Sequence, residues 1–158
     1  MLAAMTGCAV FRAEGGGPGP TRRGAPATLN GIRFEAENGG VNDWGPSVFQ
    51  VRVTVTNTLP RDTVLELLSG NCAAVIRVYR TADRSGEPLY DAARGAECYV
   101  PKVRTLLPPD SSLTLASAGD GPSLDLAPGR YYLSALVTPV GGAPRIELPA
   151  GAIDVRRR

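Results

Sequence analysis

Histidine is missing from the 158-residue chain. With it go the side chain best suited to proton transfer near neutrality, the usual activator of serine and cysteine nucleophiles, and the commonest metal ligand. Lysine is almost missing too, one residue against sixteen arginines. Those arginines are scattered, with no clustered stripe and no interleaved aromatic platform, so nucleic acid is not an expected partner. Net charge is only +2, which excludes a strong long-range field. No run of 18 apolar residues occurs that would span a bilayer as a helix. No window keeps a helical period beyond a turn or two. Trp44, in the turn-like stretch Asn42-Asp43-Trp44-Gly45-Pro46, is the only tryptophan and reads as a cap on the open end of a core.

Three further chemistries are poorly supplied. The 15 carboxylates are spread over turns and outward strand faces, which gives no acid/base dyad. Gly15-Gly16-Gly17 runs into Pro18 and not into a helix start, so it is no phosphate loop. Asp120, between Gly119 and Gly121, is too isolated to build a calcium loop. The expectation is a protein with no catalytic residue, no cofactor and no resident metal.

What the chain does have is turn chemistry, with 19 glycines and 14 prolines, and a hydrophobic share of 43%. That share supports one packed domain, since a chain of this length hides about 68–70% of its unfolded surface. Alternation supplies the elements. In Phe49-Gln50-Val51-Arg52-Val53-Thr54-Val55-Thr56 every odd position is apolar and every even one polar, the pattern of a half-buried strand. Ile32–Glu37 alternates more weakly between two turn signals, Asn30-Gly31 and Asn38-Gly39-Gly40. Further strands are expected at Thr63–Leu68, Ala74–Tyr79, Leu89-Tyr90, Tyr99–Leu107, Ser112–Leu115, Tyr131–Val137, Arg145–Leu148 and Ala152–Val155. Pro101 belongs at an edge or a bulge. Seven to nine short strands with turns between them and no helices predict an antiparallel β-sandwich of immunoglobulin-like type.

The domain is expected from Ala27 to the C-terminus, its last three residues, Arg156-Arg157-Arg158, being a solvated tail. Residues 1–26 divide into a lipoprotein-like start and a Gly/Pro-rich linker. Small residues precede Cys8 as at a bacterial lipoprotein processing site, although no basic residue precedes Arg12. Two readings fit: lipidation at Cys8 with the true start upstream, or a short frayed terminus. Cys72 and Cys98 lie at strand edges inside the domain. A disulfide between them would contribute about 3.5 kcal/mol by chain entropy; the alternatives are buried free thiols, or a metal pair that two cysteines alone cannot complete. Export and a disulfide support each other, so the expected location is the cell envelope or outside it.

Leu126-Ala127-Pro128-Gly129-Arg130-Tyr131 looks like an immunoglobulin-like corner, with Tyr131 sharing the inward parity of Leu133, Ala135 and Val137. More broadly, residues 48–137 resemble the BsuPI-type intracellular proteinase inhibitor domain. The matching pieces are the alternating strand into Asn57, Leu67-Leu68-Ser69-Gly70 leading to Val75–Tyr79, Ser85-Gly86-Glu87-Pro88-Leu89-Tyr90, Leu107–Leu115 and Pro128–Tyr131. The resemblance implies an immunoglobulin-like sandwich and proteinase inhibition. The residues themselves favour a non-catalytic binding or accessory module of the envelope, with a protein partner and, through Cys8, a membrane. If the domain is an inhibitor, the expected contact loop is Thr81 to Gly95, within the span closed by Cys72 and Cys98.

Overall fold

A computed structural model describes residues 10–11, 23–42, 48–68, 72–94, 103–119, 126–140 and 144–156. Cys8, Trp44, Gly95, Cys98, Pro101, Asp120, Arg157, Arg158 and the glycine-rich stretch 12–22 lie outside the described residues.

The Asn30-Gly31 signal becomes a two-residue hairpin turn. Both residues take positive φ, 50° and 77°, as the mirror-image turn that matches strand twist requires. It joins β2 (Ala27–Leu29) to β3 (Ile32–Asn42) in antiparallel register. β3 pairs along its length with β4 (Val48–Asn57), and β4 with β9 (Ser112–Gly119), giving one four-stranded sheet in the order β2-β3-β4-β9. Alternation in β4 turns Val51, Val53 and Val55 inward, where they are wholly buried with Phe34 and Ala36.

The strand expected to stop at Glu37 runs on to Asn42, because Asn38-Gly39-Gly40 forms a bulge and not a turn. Glycine suits it: a Cβ on Gly39 would lie 3.0 Å from the Gln50 Cβ. A bulge and a turn call on the same residues.

The facing sheet has the order β1-β11-β10-β6-β7, from β1 (Val10–Phe11), β6 (Ala74–Tyr79), β7 (Tyr90–Asp91), β10 (Gly129–Val137) and β11 (Ile146–Arg156). Here too the structure departs from expectation. The two strands expected at 145–148 and 152–155 are one strand, with a register shift opposite Tyr132–Ser134. Gly151, at φ 86°, is the extra residue, so Leu148 and Ala150 are buried before it, and Ile153 and Val155 after it. An even-to-odd change of parity beside Pro149 mimics a loop.

β11 lies over β3, β10 over β3 and β4, and β6 over β4 and β9, which makes a β-sandwich-like, almost entirely antiparallel architecture. A third, two-stranded sheet, β5 (Thr63–Leu67) with β8 (Val103–Leu107), adds Leu65, Leu67 and Leu107 to the core. It is tied on by the Leu67–Pro139 bridge and by Val140 N donating to Glu66 O at 3.0 Å. Residues 23–26, which sequence reading leaves in the linker, run beside β3, with Gly24 N donating to Ala36 O.

Two polar side chains fix the ends of strands. Tyr131 is fully buried and its hydroxyl donates to Ala127 O at 2.7 Å, in the inward position its parity predicted. Asn57, also fully buried, closes β4. Its amide donates to Arg61 O and Leu107 O at 2.8 Å and to Pro108 O at 3.2 Å, while its Oδ1 accepts from Leu59 N at 3.0 Å.

Candidate functional site

The outward face of the β6–β10–β11 sheet presents Arg77 and Tyr79 from β6, Ser134 from β10 and Glu147 from β11. Leu136 pairs with Glu147 while Ser134 pairs with Arg77, so the register brings these side chains together around one carboxylate. Glu147 Oε1 accepts from Tyr79 Oη and Ser134 Oγ, both at 2.6 Å. Its Oε2 accepts from Arg77 Nη1 at 2.9 Å. Arg77 turns its other donors to Asp91 Oδ2, from Nε at 3.0 Å and from Nη2 at 2.9 Å.

Burial alone would push the Glu147 carboxyl up, but the hydrogen bonds from Ser134 and Tyr79 and the charge of Arg77 outweigh it and hold the group below its ordinary value. Burial, then the hydrogen bond to Glu147, raises Tyr79. Desolvation opposes the Arg77 charge, and Asp91 and Glu147 more than compensate. A carboxylate saturated in this way is a clamp. Its low proton affinity is the reverse of what a general acid or base poised near neutrality needs.

What the clamp holds is the excursion from Arg80 to Arg94. Leu89 N donates to Val78 O at 2.8 Å and Ala92 N to Ile76 O at 3.1 Å, so the returning limb is laid on β6 with Asp91 over Arg77. Asp83 Oδ1 accepts from Ser85 N and Ser85 Oγ, and Glu87 pairs with Arg94 across the tip. From the outgoing limb Arg84 points back into the sheet. Its Nε donates to Leu133 O at 3.0 Å and its Nη2 reaches Gly151 O at 3.4 Å, with Nη1 on Ala82 O at 2.9 Å. Desolvation lowers the Arg84 pKa, the cost of taking a guanidinium out of water to bind backbone carbonyls. Residues 85–87 and Leu89 are exposed.

Of the residues singled out from sequence, the described part of the loop, 81–94, meets the sheet as stated, and Cys72 is buried just before β6. Cys8 and Cys98 cannot be placed beside it, lying outside the described residues. Arg77, Arg84, Ser134 and Glu147 were not found by sequence reading; no local pattern marks them, because their partners lie up to 70 positions away. Among the described residues no group of three or more His, Cys, Asp or Glu side chains converges as metal ligands. No helix there is long and apolar enough to cross a membrane.

A recess of about 360 Å³ lies between the β2–β3 hairpin and β5, lined by Leu29, Ile32, Phe34, Leu65, Pro139 and Val140 among others. Glu66 and Arg104, also in its wall, pair at 3.5 Å. No protein-family model matches this chain, and no curated protein matches it either.

Proposed function

We propose that this domain is a non-catalytic binding or accessory module of the cell envelope, exported and lipid-tethered through Cys8 or secreted, that recognises a protein partner. The single observation that carries the reading is the Arg80–Arg94 excursion. Its tip is exposed while both limbs are fastened to the sheet by backbone hydrogen bonds, ion pairs and a partly buried arginine. Loops held by a rigid scaffold are where recognition concentrates, and a surface that need not be ordered on contact loses less free energy on binding. The finer fold reading, an immunoglobulin-like sandwich, is supported by the Tyr131–Ala127 hydrogen bond, the geometry of a tyrosine corner. The Cys72–Cys98 disulfide belongs to the same proposal, since an oxidising compartment would form it.

The second reading, a BsuPI-type proteinase inhibitor, draws on the same braced loop and on the segments quoted for the resemblance. Saturable binding to washed envelope fractions, lost when residues 85–89 are replaced by Gly-Ser repeats, tests the first reading. A soluble cytoplasmic product without metabolic lipid label would remove the tether. Tight, stoichiometric inhibition of a serine protease by the purified domain would replace the first reading with the second.

A further inference from the structure

β9 closes one side of the four-stranded sheet and pairs only with β4 among the described residues. The register that sets Thr56 against Ser112 continues to Asn57 opposite Ser111, and Asn57 N donates to Ser111 O at 3.0 Å. Hydrogen-bonded pairs alternate with non-bonded ones along an antiparallel ladder. Leu113, Leu115 and Ser117 therefore direct their backbone groups to β4, while the N–H and C=O groups of Ser112, Thr114, Ala116 and Ala118 point the other way, where no described strand lies beside them.

A free edge is a template for another strand, and sheets guard it with charge, proline or brevity. The other edge strands are guarded. β1 and β7 have two residues each and β2 three, β8 carries Arg104, and β5 is bridged to Pro139. β9 runs for eight residues, Ser-Leu-Thr-Leu-Ala-Ser-Ala-Gly, with no charge and no proline. On its core side Leu113 and Leu115 are only half-buried.

The same stretch is its own complement. Antiparallel pairing about a two-fold axis keeps inward residues opposite inward ones only when the paired residue numbers sum to an even value. The register centred on Leu115 sets that leucine against its own copy in a non-hydrogen-bonded pair, the closer kind, which covers the flank left open in one chain. Leu113 then faces Ser117, and Thr114 with Ala116 and Ser112 with Ala118 make the hydrogen-bonded pairs. Centring on Ala116 would instead set Leu113 against Gly119 and part the leucines. On the outer face the row Glu37, Arg52, Ala116 runs into Thr114, Thr54 and Glu35 of the other copy, so no like charges become neighbours.

We propose that β9 pairs with the β9 of a second copy of this chain, antiparallel about a two-fold axis through Leu115, joining the two four-stranded sheets into one. The pairing uses up the open edge, so it closes at the dimer. An edge-to-edge contact is at the small end of specific interfaces, so the dimer forms at high protein concentration and dissociates on dilution. It does not depend on what the Arg80–Arg94 loop binds.

Sedimentation equilibrium of the full chain, from about 500 μM down to about 5 μM, is the test, since weak contacts exchange in that range. The expected result is a monomer–dimer equilibrium. Thr114→Pro removes an N–H that only the second copy would use, at a position where an edge strand tolerates proline. Ala116→Lys sets two like charges near the two-fold axis. Each is expected to weaken dimerisation about tenfold or more, with circular dichroism unchanged. Should the proline variant fail to fold, the lysine variant carries the readout. Under oxidation Leu115→Cys is expected to give about tenfold more covalent dimer than Leu113→Cys or wild type, because only position 115 faces its own copy and cross-strand cysteines must lie close to bridge. A monomer throughout would overturn the proposal, as would a dimer that both variants leave intact or assemblies that keep growing with concentration. Equal cross-linking from positions 113 and 115 would overturn the axis through Leu115.

Discussion

Replacing Asn57 removes the joint between β4, the 58–62 turn and the β8–β9 turn. In Asn57→Ala, Leu107 O and Arg61 O lose a donor at 2.8 Å and Leu59 N loses its acceptor at 3.0 Å. The side chain is fully buried, so water does not readily substitute. Each buried polar group left alone costs about 1–3 kcal/mol, and part of the Arg61 and Leu59 loss is recovered at the surface. The expected penalty is therefore about 3–5 kcal/mol, a third or more of a typical domain's stability.

Asn57→Asp separates the donor from the acceptor. It keeps an oxygen for Leu59 N but aims a carboxylate at Leu107 O and Pro108 O, which only a protonated acid can satisfy. The folded-state pKa of this new Asp is raised above its unfolded value of about 3.9. The matching stabilisation is fully present below that unfolded value and is lost as pH rises through the folded pKa. The variant is expected to approach wild type near pH 4 and to be weakest at pH 7. Urea unfolding followed by far-UV circular dichroism, at several pH values and as a difference from wild type, measures both effects. An Asn57→Ala cost below about 1 kcal/mol, or an Asp variant whose deficit does not change with pH, would show that the hydrogen bonds of Asn57 do not govern this joint.

Glu147 is expected to have the opposite sign. Its folded pKa is lowered, so its contribution is present above the unfolded value and is lost as pH falls through the folded one; Glu147→Gln should lower the melting temperature at pH 7 and flatten the acid limb of a thermal scan. Gly24→Ala would put a Cβ 1.8 Å from Pro149 O, an overlap with backbone expected to cost about 1–3 kcal/mol or more. Gly86→Ala meets nothing within 4 Å but keeps φ at 77°, so only the conformational cost of about 1 kcal/mol is expected in the same denaturant assay. Tyr131→Phe keeps the buried ring and frees Ala127 O; a loss of about 1–2 kcal/mol with unchanged circular dichroism is the expected outcome.

β4 was legible almost to the residue, because burial of one face leaves a period of two in the sequence, and β6 was legible as a short apolar run between turn signals, buried on both faces. Asn30-Gly31 was legible for a different reason, since few residue pairs tolerate two positive φ values in succession. Tyr131 was placed inward by parity alone. β3 and β11 were cut short where glycine and proline entered, since those residues serve bulges and turns alike and only the partner strand decides between them. β2 and β1 are too short, at three and two residues, to show a period. The loop was visible as polar punctuation between Thr81 and Pro88, but its fastening was not. Arg84, Ser134 and Glu147 acquire their roles from the pairing of Tyr132 with Ala152 and of Ser134 with Arg77, and register across strands is not written locally.

The single extra residue in β11 behaves like a frame shift in the backbone. Without Gly151 the inward set Leu148, Ala150, Ile153 and Val155 would fall into one unbroken frame opposite β10. The hydrophobic interior would be read the same way with or without the insertion. What a shortened strand would lose is the left-handed step that brings the Gly151 carbonyl within reach of Arg84. The inner surface of the sheet is thus indifferent to this residue and its outer surface depends on it, so a chain lacking Gly151 could keep its core and still lose the fastening of the loop on the outer face.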